Sequence, residues 1–365
     1  MDLFTTGRIG HFLVQNRIVM APLGRARNSE PGREPQHRCA VYYAQRASAG
    51  LLISEATHVS EDSVSRPGTG AIHSVAQVAA WKKVTAAVHA AQGRIFQQLF
   101  HLGRKADPAR LPGGALPVAP SAIAAIGEIA TPSGARPFPV PRALEEEEIA
   151  GLIAQFRNAI VNAHAAGFDG VELHAANGFL IDQFLRDGAN QRSGTYGGSI
   201  ENRTRFLLEI VDHAINIFGP DGVGVRLSPH ATQDGLTDSD PAALYAYTAA
   251  VLNQRGIAYL HLIEPDTTPE NIKLAPLLRE TFKGPFILAG EFTRETATAA
   301  IASGRADFIA FGRLYIANPD LAERFHLRAP LNHPDETTFY SGGDAGYIDY
   351  PTLAEQNSLS EQATS

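Results

Sequence analysis

The sequence predicts an α/β fold, a (β/α)₈ barrel with a long insertion after its third strand, and three observations predict it. Eight short apolar runs recur along the chain, at 18–21, 51–54, 95–99, 170–173, 223–227, 259–263, 286–289 and 308–311. Helical patterns separate several of them, and strands alternating with helices imply a parallel sheet. The stretch after the first run, Ala21-Pro22-Leu23-Gly24-Arg25, lacks the glycine pattern with which an open, doubly wound sheet holds a phosphate. At 365 residues, 44% hydrophobic and 19% charged, the chain has ample core for one such barrel.

The connecting elements follow from their patterns. Ile149, Leu152, Ile153, Phe156 and Ile160 fall on one helical stripe. Glu145 to Glu148 occupy its first turn, where carboxylates favour the helix dipole, and Gly167 stops it. Further helices are expected at 75–92, 203–218, 241–255, 269–282 and 294–303. The segment 101–141 is rich in Pro, Gly and Ala and too long for a plain connection, so it reads as a lid over the barrel mouth. Residues 1–353 form a single domain on this reading, and 354–365 a polar, poorly ordered tail.

Composition excludes several classes of function. A formal net charge of −7 without a basic cluster argues against nucleic acid as a partner. Cys39 is the only cysteine, which rules out an internal disulfide and Cys-type zinc sites and suits a reducing, cytoplasmic setting. No signal peptide or membrane-spanning run is recognised, so no membrane partner is expected. The expected assembly is a monomer or a homodimer.

The residues that carry chemistry cluster at strand ends. The fourth run delivers His174, with Asn177 three residues later, and two such groups converging on one point suit a carbonyl or amide oxygen. No second His or carboxylate completes a metal triad there, so no metal is expected. Glu172 is expected on the opposite face of the strand, towards the helices. Arg226 ends the fifth run, where a guanidinium is costly unless it meets a strong acceptor, a structural ion pair being the alternative. Gln98 ends the third run, and its amide can donate and accept. Gly290 and Gly312-Arg313 end the seventh and eighth runs, where barrels commonly bind a phosphate group.

Together these residues resemble the old yellow enzyme family of FMN-dependent ene-reductases, over almost the whole chain. The most specific run is GVELHAANGFLIDQFLRDGANQRSGTYGGSIENR at 170–203, with NRIVMAPL at 16–23, LLISEA at 51–56, FGR at 311–313 and NPDL at 318–321. The resemblance implies an FMN-containing barrel with NADPH or NADH as hydride donor and a conjugated enone or enal as substrate. It implies that Pro22, Leu23, Gly24 and Ala56 lie beside the flavin, Gln98 at its pyrimidine edge and Arg226 near N1 and the C2 carbonyl. It further implies that Gly290, Gly312 and Arg313 hold the phosphate, that His174 and Asn177 grip the substrate oxygen, and that Tyr340 lines the substrate pocket.

Three positions depart from the family pattern. Phe179 stands where a proton-donating tyrosine is usual, and it has no ionisable hydrogen. Gly24 replaces a usual Thr or Cys, and Phe100 a common tryptophan. The leading expectation is C=C reduction with an atypical proton source. The alternative is a flavin isomerase or desaturase acting on a conjugated carbonyl. A cofactor-free barrel lyase, using the phosphate site for its substrate, ranks below both.

Overall fold

The computed structural model describes residues 1–364 apart from 65, 132–133 and 266–267. The eight apolar runs form Ile18–Met20 (β1), Leu51–Ile53 (β2), Ile95–Phe100 (β3), Gly170–Ala175 (β4), Val223–Leu227 (β5), Tyr259–Ile263 (β6), Phe286–Ala289 (β7) and Phe308–Phe311 (β8). Each pairs in parallel with the next, and β8 pairs with β1, which closes the ring.

Side chains that alternate inward from these strands fill the barrel. Val19, Leu51, Ile53, Phe96, Tyr259, Ile287 and Phe308 join Ile9 and Val14 in one apolar cluster. Ile9 and Val14 belong to the N-terminal hairpin of Gly7–Ile9 and Phe12–Val14, which seals this end. Gly224 makes room for the Tyr259 ring, because a Cβ there would lie 2.2 Å from it. Above the apolar layers the inward residues become polar. The register sets Gln98 opposite Glu172, His174 opposite Arg226, and Arg226 opposite His261.

A second core lies between sheet and helices. The helix Glu146–Ala165 turns Ile149, Leu152, Ile153, Phe156 and Ile160 inward, each burial contributing on the order of 1.5–3 kcal/mol. Its start is held by a reciprocal Glu145–Glu148 cap, and Gly167 leaves the helix at φ +84°. The helices Val75–Ala90, Ile200–Phe218, Pro241–Gln254 and Arg294–Ala302 match the sequence pattern closely.

Three expectations need correction. The helix expected at 269–282 is a short turn, Glu270–Ile272, followed by Ala275–Thr281. Pro276 explains the break, since it has no N–H for the Ile272 carbonyl four residues earlier and its ring would clash with that carbonyl, so it is tolerated only in the first helical turn. The expected tail is a helix, Leu353–Thr364, begun by a reciprocal cap in which Glu355 Oε2 accepts from the Thr352 N–H and the Thr352 hydroxyl faces the Glu355 N–H. Glu172 faces the barrel interior and not the helices. It precedes His174 by two residues, so the period of a strand puts both on the same face.

Within 101–141 the chain makes three short turns and an antiparallel hairpin, Glu128–Thr131 with Gly134–Pro137. Among the described residues no helix is long and apolar enough to cross a membrane.

Candidate active site

The C-terminal ends of the strands open into a cavity of about 440 Å³. Of the residues singled out in the sequence, it brings together Pro22, Gly24, Ala56, Gln98, Phe100, His174, Asn177, Phe179, Arg226 and Tyr340. They come from β1, β2, β3, β4 and β5 and the loops behind them, with Tyr340 from the C-terminal segment.

Its floor is a buried polar layer. Gln98 Nε2 donates to Glu172 Oε1 at 2.7 Å, and His261 Nδ1 lies 2.8 Å from Glu172 Oε2, which makes this nitrogen the donor. Burial opposes the Glu172 charge, but His261 and its hydrogen bond, Arg226 and Gln98 outweigh it and hold the carboxyl below its ordinary range. Glu172 is therefore the counter-charge that lets a guanidinium stand on a barrel floor. With one Gln98 amide hydrogen committed below, the carbonyl end and the other hydrogen remain for the cavity. The buried Nε of Arg226 and Nδ1 of His174 find no partner among the described residues. Burying such groups is costly unless a ligand or water completes them.

His174 and Asn177 are well held. Burial, then Arg226, His261 and Lys105, push His174 far below the ordinary histidine pKa, so the imidazole is neutral and has one N–H to donate. Asn177 sits in left-handed backbone at φ +57°, with its N–H donated to Ser228 Oγ at 2.7 Å. This turn, tied also by the Gly178 N–H to Asp182 Oδ2, brings the Asn177 side chain over the end of β4. The helix Leu180–Leu185 then starts from Phe179, which leaves the Phe179 ring facing the cavity.

The walls are aromatic. Phe179 meets Phe100 edge-on at 5.0 Å and His174 at 4.8 Å, and His58 stacks on Phe100 at 4.5 Å. Burial pushes His58 well below its ordinary pKa, so it stacks as a neutral ring. Ile129, Ala130 and Phe138 of the hairpin region close one side, and half-exposed Tyr340 lies at the rim with Arg66 over its ring. Nothing lies within 4 Å of where a Gly24 Cβ would stand, so the glycine leaves open space. An apolar slot floored by donors suits a flat heteroaromatic ring with carbonyl and ring-nitrogen acceptors.

The remaining residues from the sequence lie apart. Gly290, Gly312 and Arg313 line a second cavity of about 680 Å³ at the ends of β7 and β8. Leu23, between Pro22 and Gly24, lines neither cavity but comes within 3.4 Å of the Cβ position of Gly312, so it joins the two sites. The Arg313 guanidinium is 70% exposed and bonds Glu336 Oε1 at 3.1 Å.

Sequence reasoning missed Lys105, His58 and His261, and misplaced Glu172. The two-residue spacing of Glu172 and His174 was a readable signal. Lys105 had none, because its neighbours come from other loops. Among the described residues no cluster of three His, Cys, Asp or Glu is placed to hold a metal ion.

Residues 2–332 match the model of the NADH:flavin oxidoreductase / NADH oxidase family. The chain is 44% identical to 12-oxophytodienoate reductase 2 of Arabidopsis thaliana over 97% of its own length and 96% of that protein. It is 43% identical to a probable flavin mononucleotide-dependent alkene reductase of Leishmania infantum, over 94% and 96%. Among solved structures it resembles morphinone reductase in complex with tetrahydroNAD, at 48% identity and a TM-score of 0.92, over 97% of this chain and 98% of that one. It also resembles the old yellow enzyme homologue from Zymomonas mobilis, at 44% identity and a TM-score of 0.93, over 97% and 100%.

Proposed function

The chain belongs to the NADH:flavin oxidoreductase / NADH oxidase family, and on that premise we propose that it reduces the C=C bond of α,β-unsaturated carbonyl compounds as an FMN-dependent ene-reductase. The observation that carries this reading is the pairing of a neutral His174 and Asn177 above a floor whose buried Arg226 Nε lacks a protein partner. On this reading Pro22, Leu23, Gly24 and Ala56 flank FMN, Gln98 meets its pyrimidine edge, and Arg226 faces its N1 and C2 carbonyl. Gly290, Gly312 and Arg313 take the phosphate, and Arg313 exchanges Glu336 for it.

When bound and reduced by NADH or NADPH, FMN would supply a hydride for the β-carbon of the substrate. The protein's part is electrostatic and positional. His174 and Asn177 donate to the carbonyl oxygen, where negative charge gathers as the β-carbon is reduced, and a fixed donor of this kind is worth about 10²–10³ in rate. The aromatic walls and the 101–141 segment hold a planar enone and limit water. Phe100, Phe179 and Tyr340 shape the space for the rest of the substrate.

The experiment is a colour test. The purified protein should be yellow, bleach anaerobically with NADH or NADPH, and regain colour with 2-cyclohexen-1-one. A colourless protein that takes up no FMN would sink the proposal. Phe179 motivates a second reading, an isomerase or desaturase, because the ring packed against His174 has no ionisable hydrogen. Bleaching that no enone reverses would favour it.

A further inference from the structure

Adding a hydride to one carbon of a C=C bond leaves the neighbouring carbon in need of a proton. The side chains around the cavity narrow the source of that proton. Phe179 has none to give. His174 is a neutral ring whose one N–H is needed on the carbonyl oxygen, and His58 is a neutral ring stacked on Phe100. Arg66 and Arg226 carry guanidinium groups, which do not release protons in proteins. Tyr340 is 60% exposed at the rim, Glu128 is exposed on the hairpin, and the Thr69 hydroxyl donates to the Arg66 carbonyl at 3.4 Å. Lys105 remains, an ammonium with three hydrogens on the same wall as Phe179.

Its placement is specific. Lys105 ends the turn Gly103–Lys105 that follows β3, and it crosses to the loops after β4 and β5. Nζ lies 5.0 Å from the centre of the Phe179 ring and donates to the Asn177 carbonyl at 3.3 Å. Asp234 pairs with Nζ, and the backbone carbonyl of Asp234 accepts from Arg104 and from the Ile126 N–H, so this counter-ion is fastened to the 101–141 segment. Asp234 holds φ +63°, an uncommon conformation for a residue other than glycine. The Lys105 side chain is 18% exposed, enough to exchange protons with solvent from its outer side.

We propose that Lys105 is the proton donor to the α-carbon, which rests on the ene-reductase reading above. Hydride arrival at the β-carbon moves the C=C electron pair into an enolate, with its oxygen on His174 and Asn177. The enolate then uses that pair to form a C–H bond at the α-carbon with a hydrogen from Nζ. The N–H bond breaks, its electrons stay on nitrogen, and the amine regains a proton from water. Asp234, paired with Nζ, keeps it beside Phe179. A lysine on this wall thus does what a phenol at position 179 would do, from a different loop.

The test separates the half-reactions of the flavin-loaded protein by stopped-flow for wild type, Lys105→Met, and Lys105→Met with Phe179→Tyr. Bleaching by NADH or NADPH and recolouring by ferricyanide should be alike in wild type and Lys105→Met, because neither protonates carbon. Recolouring by 2-methyl-2-cyclohexen-1-one should slow about 10²-fold in its limiting rate in Lys105→Met, with little change in half-saturation. In D₂O the α-deuterium should lie on one face in the wild-type product and scramble with Lys105→Met. Phe179→Tyr should restore much of the rate in the Lys105→Met background. Unchanged enone rate and facial selectivity in Lys105→Met would overturn the proposal in favour of water. Equal slowing with enone and ferricyanide would overturn it in favour of a structural role. A wild-type protein that ferricyanide recolours but enones do not would overturn the ene-reductase reading itself, and this role with it.

Discussion

A carboxylate anchors both the floor and the wall of the cavity, but under opposite conditions. On the floor, Glu172 and His261 are wholly buried, and the strand register fixes their positions relative to Arg226 and Gln98. On the wall, Lys105 and Asp234, each about a fifth exposed, lie on the loops after β3 and β5. The floor is therefore rigid and has one arrangement, suited to a fixed electrostatic task beside a cofactor. The wall can change residue by residue without disturbing the sheet. On the proposed reading, the strands would set the cofactor's environment and the loops would decide the fate of the substrate's proton.

That contrast breaks first on stability. Glu172→Leu should strip His261 and Gln98 of their acceptor and Arg226 of its counter-charge together and cost about 3–5 kcal/mol in urea unfolding, whereas Lys105→Met should cost about 1 kcal/mol. Equal costs would mean that the wall is as much part of the scaffold as the floor. The apoprotein should show the same ranking, which would separate scaffold effects from loss of bound FMN.

A second buried carboxylate sharpens the point. Glu55 follows β2 beside Ala56, accepts from Asn28 Nδ2 at 2.9 Å, and keeps Oε2 without a partner among the described residues. Burial, only partly offset by Asn28 and the nearby arginines, raises its pKa from 4.5 to about 7. A raised folded pKa means stability that is full below 4.5 and is lost as pH rises through about 7. The loss amounts to roughly 3 kcal/mol across that window. Glu172 runs the other way, since its lowered pKa gives stability that is present above about 4.5 and lost on acidification. Glu55→Gln should flatten the pH dependence of unfolding free energy between 4.5 and 7 and leave the acid side unchanged. A slope that survives the substitution would place the titration elsewhere.

The parts legible in the sequence are those that depend on local periodicity. All eight strands and most helices follow from apolar spacing, because a buried parallel strand has no polar face to blur the pattern. Strand-end residues such as His174, Gln98 and Arg226 were readable because strand ends in a barrel share one rim. The polar floor was harder. Glu172 needed only its two-residue offset from His174, yet a carboxylate inside a barrel contradicts composition-based expectation until its partner His261, 89 residues away, is known. Lys105 was not legible at all, since its neighbours Asn177, Phe179 and Asp234 belong to other loops. The terminal helix had a readable start in Thr352 and Glu355, masked by the polar residues after Glu355.

The smallest expected effect falls on the wall. Phe179→Tyr adds one hydroxyl beside His174 on a ring that already faces the cavity. If protons reached the α-carbon only from water, such a phenol would add general acid assistance, typically worth about 10²–10⁴-fold. If Lys105 already supplies the proton, the phenol duplicates a working donor, and enone turnover in otherwise unchanged protein should rise by less than about threefold. The contrast lies in the background: the same substitution should matter far more once Lys105 is methionine. Steady-state enone turnover for the four combinations at 105 and 179 measures this coupling directly. Additive effects would show that the two side chains do not substitute for one another, whereas strong non-additivity would show that they serve one carbon.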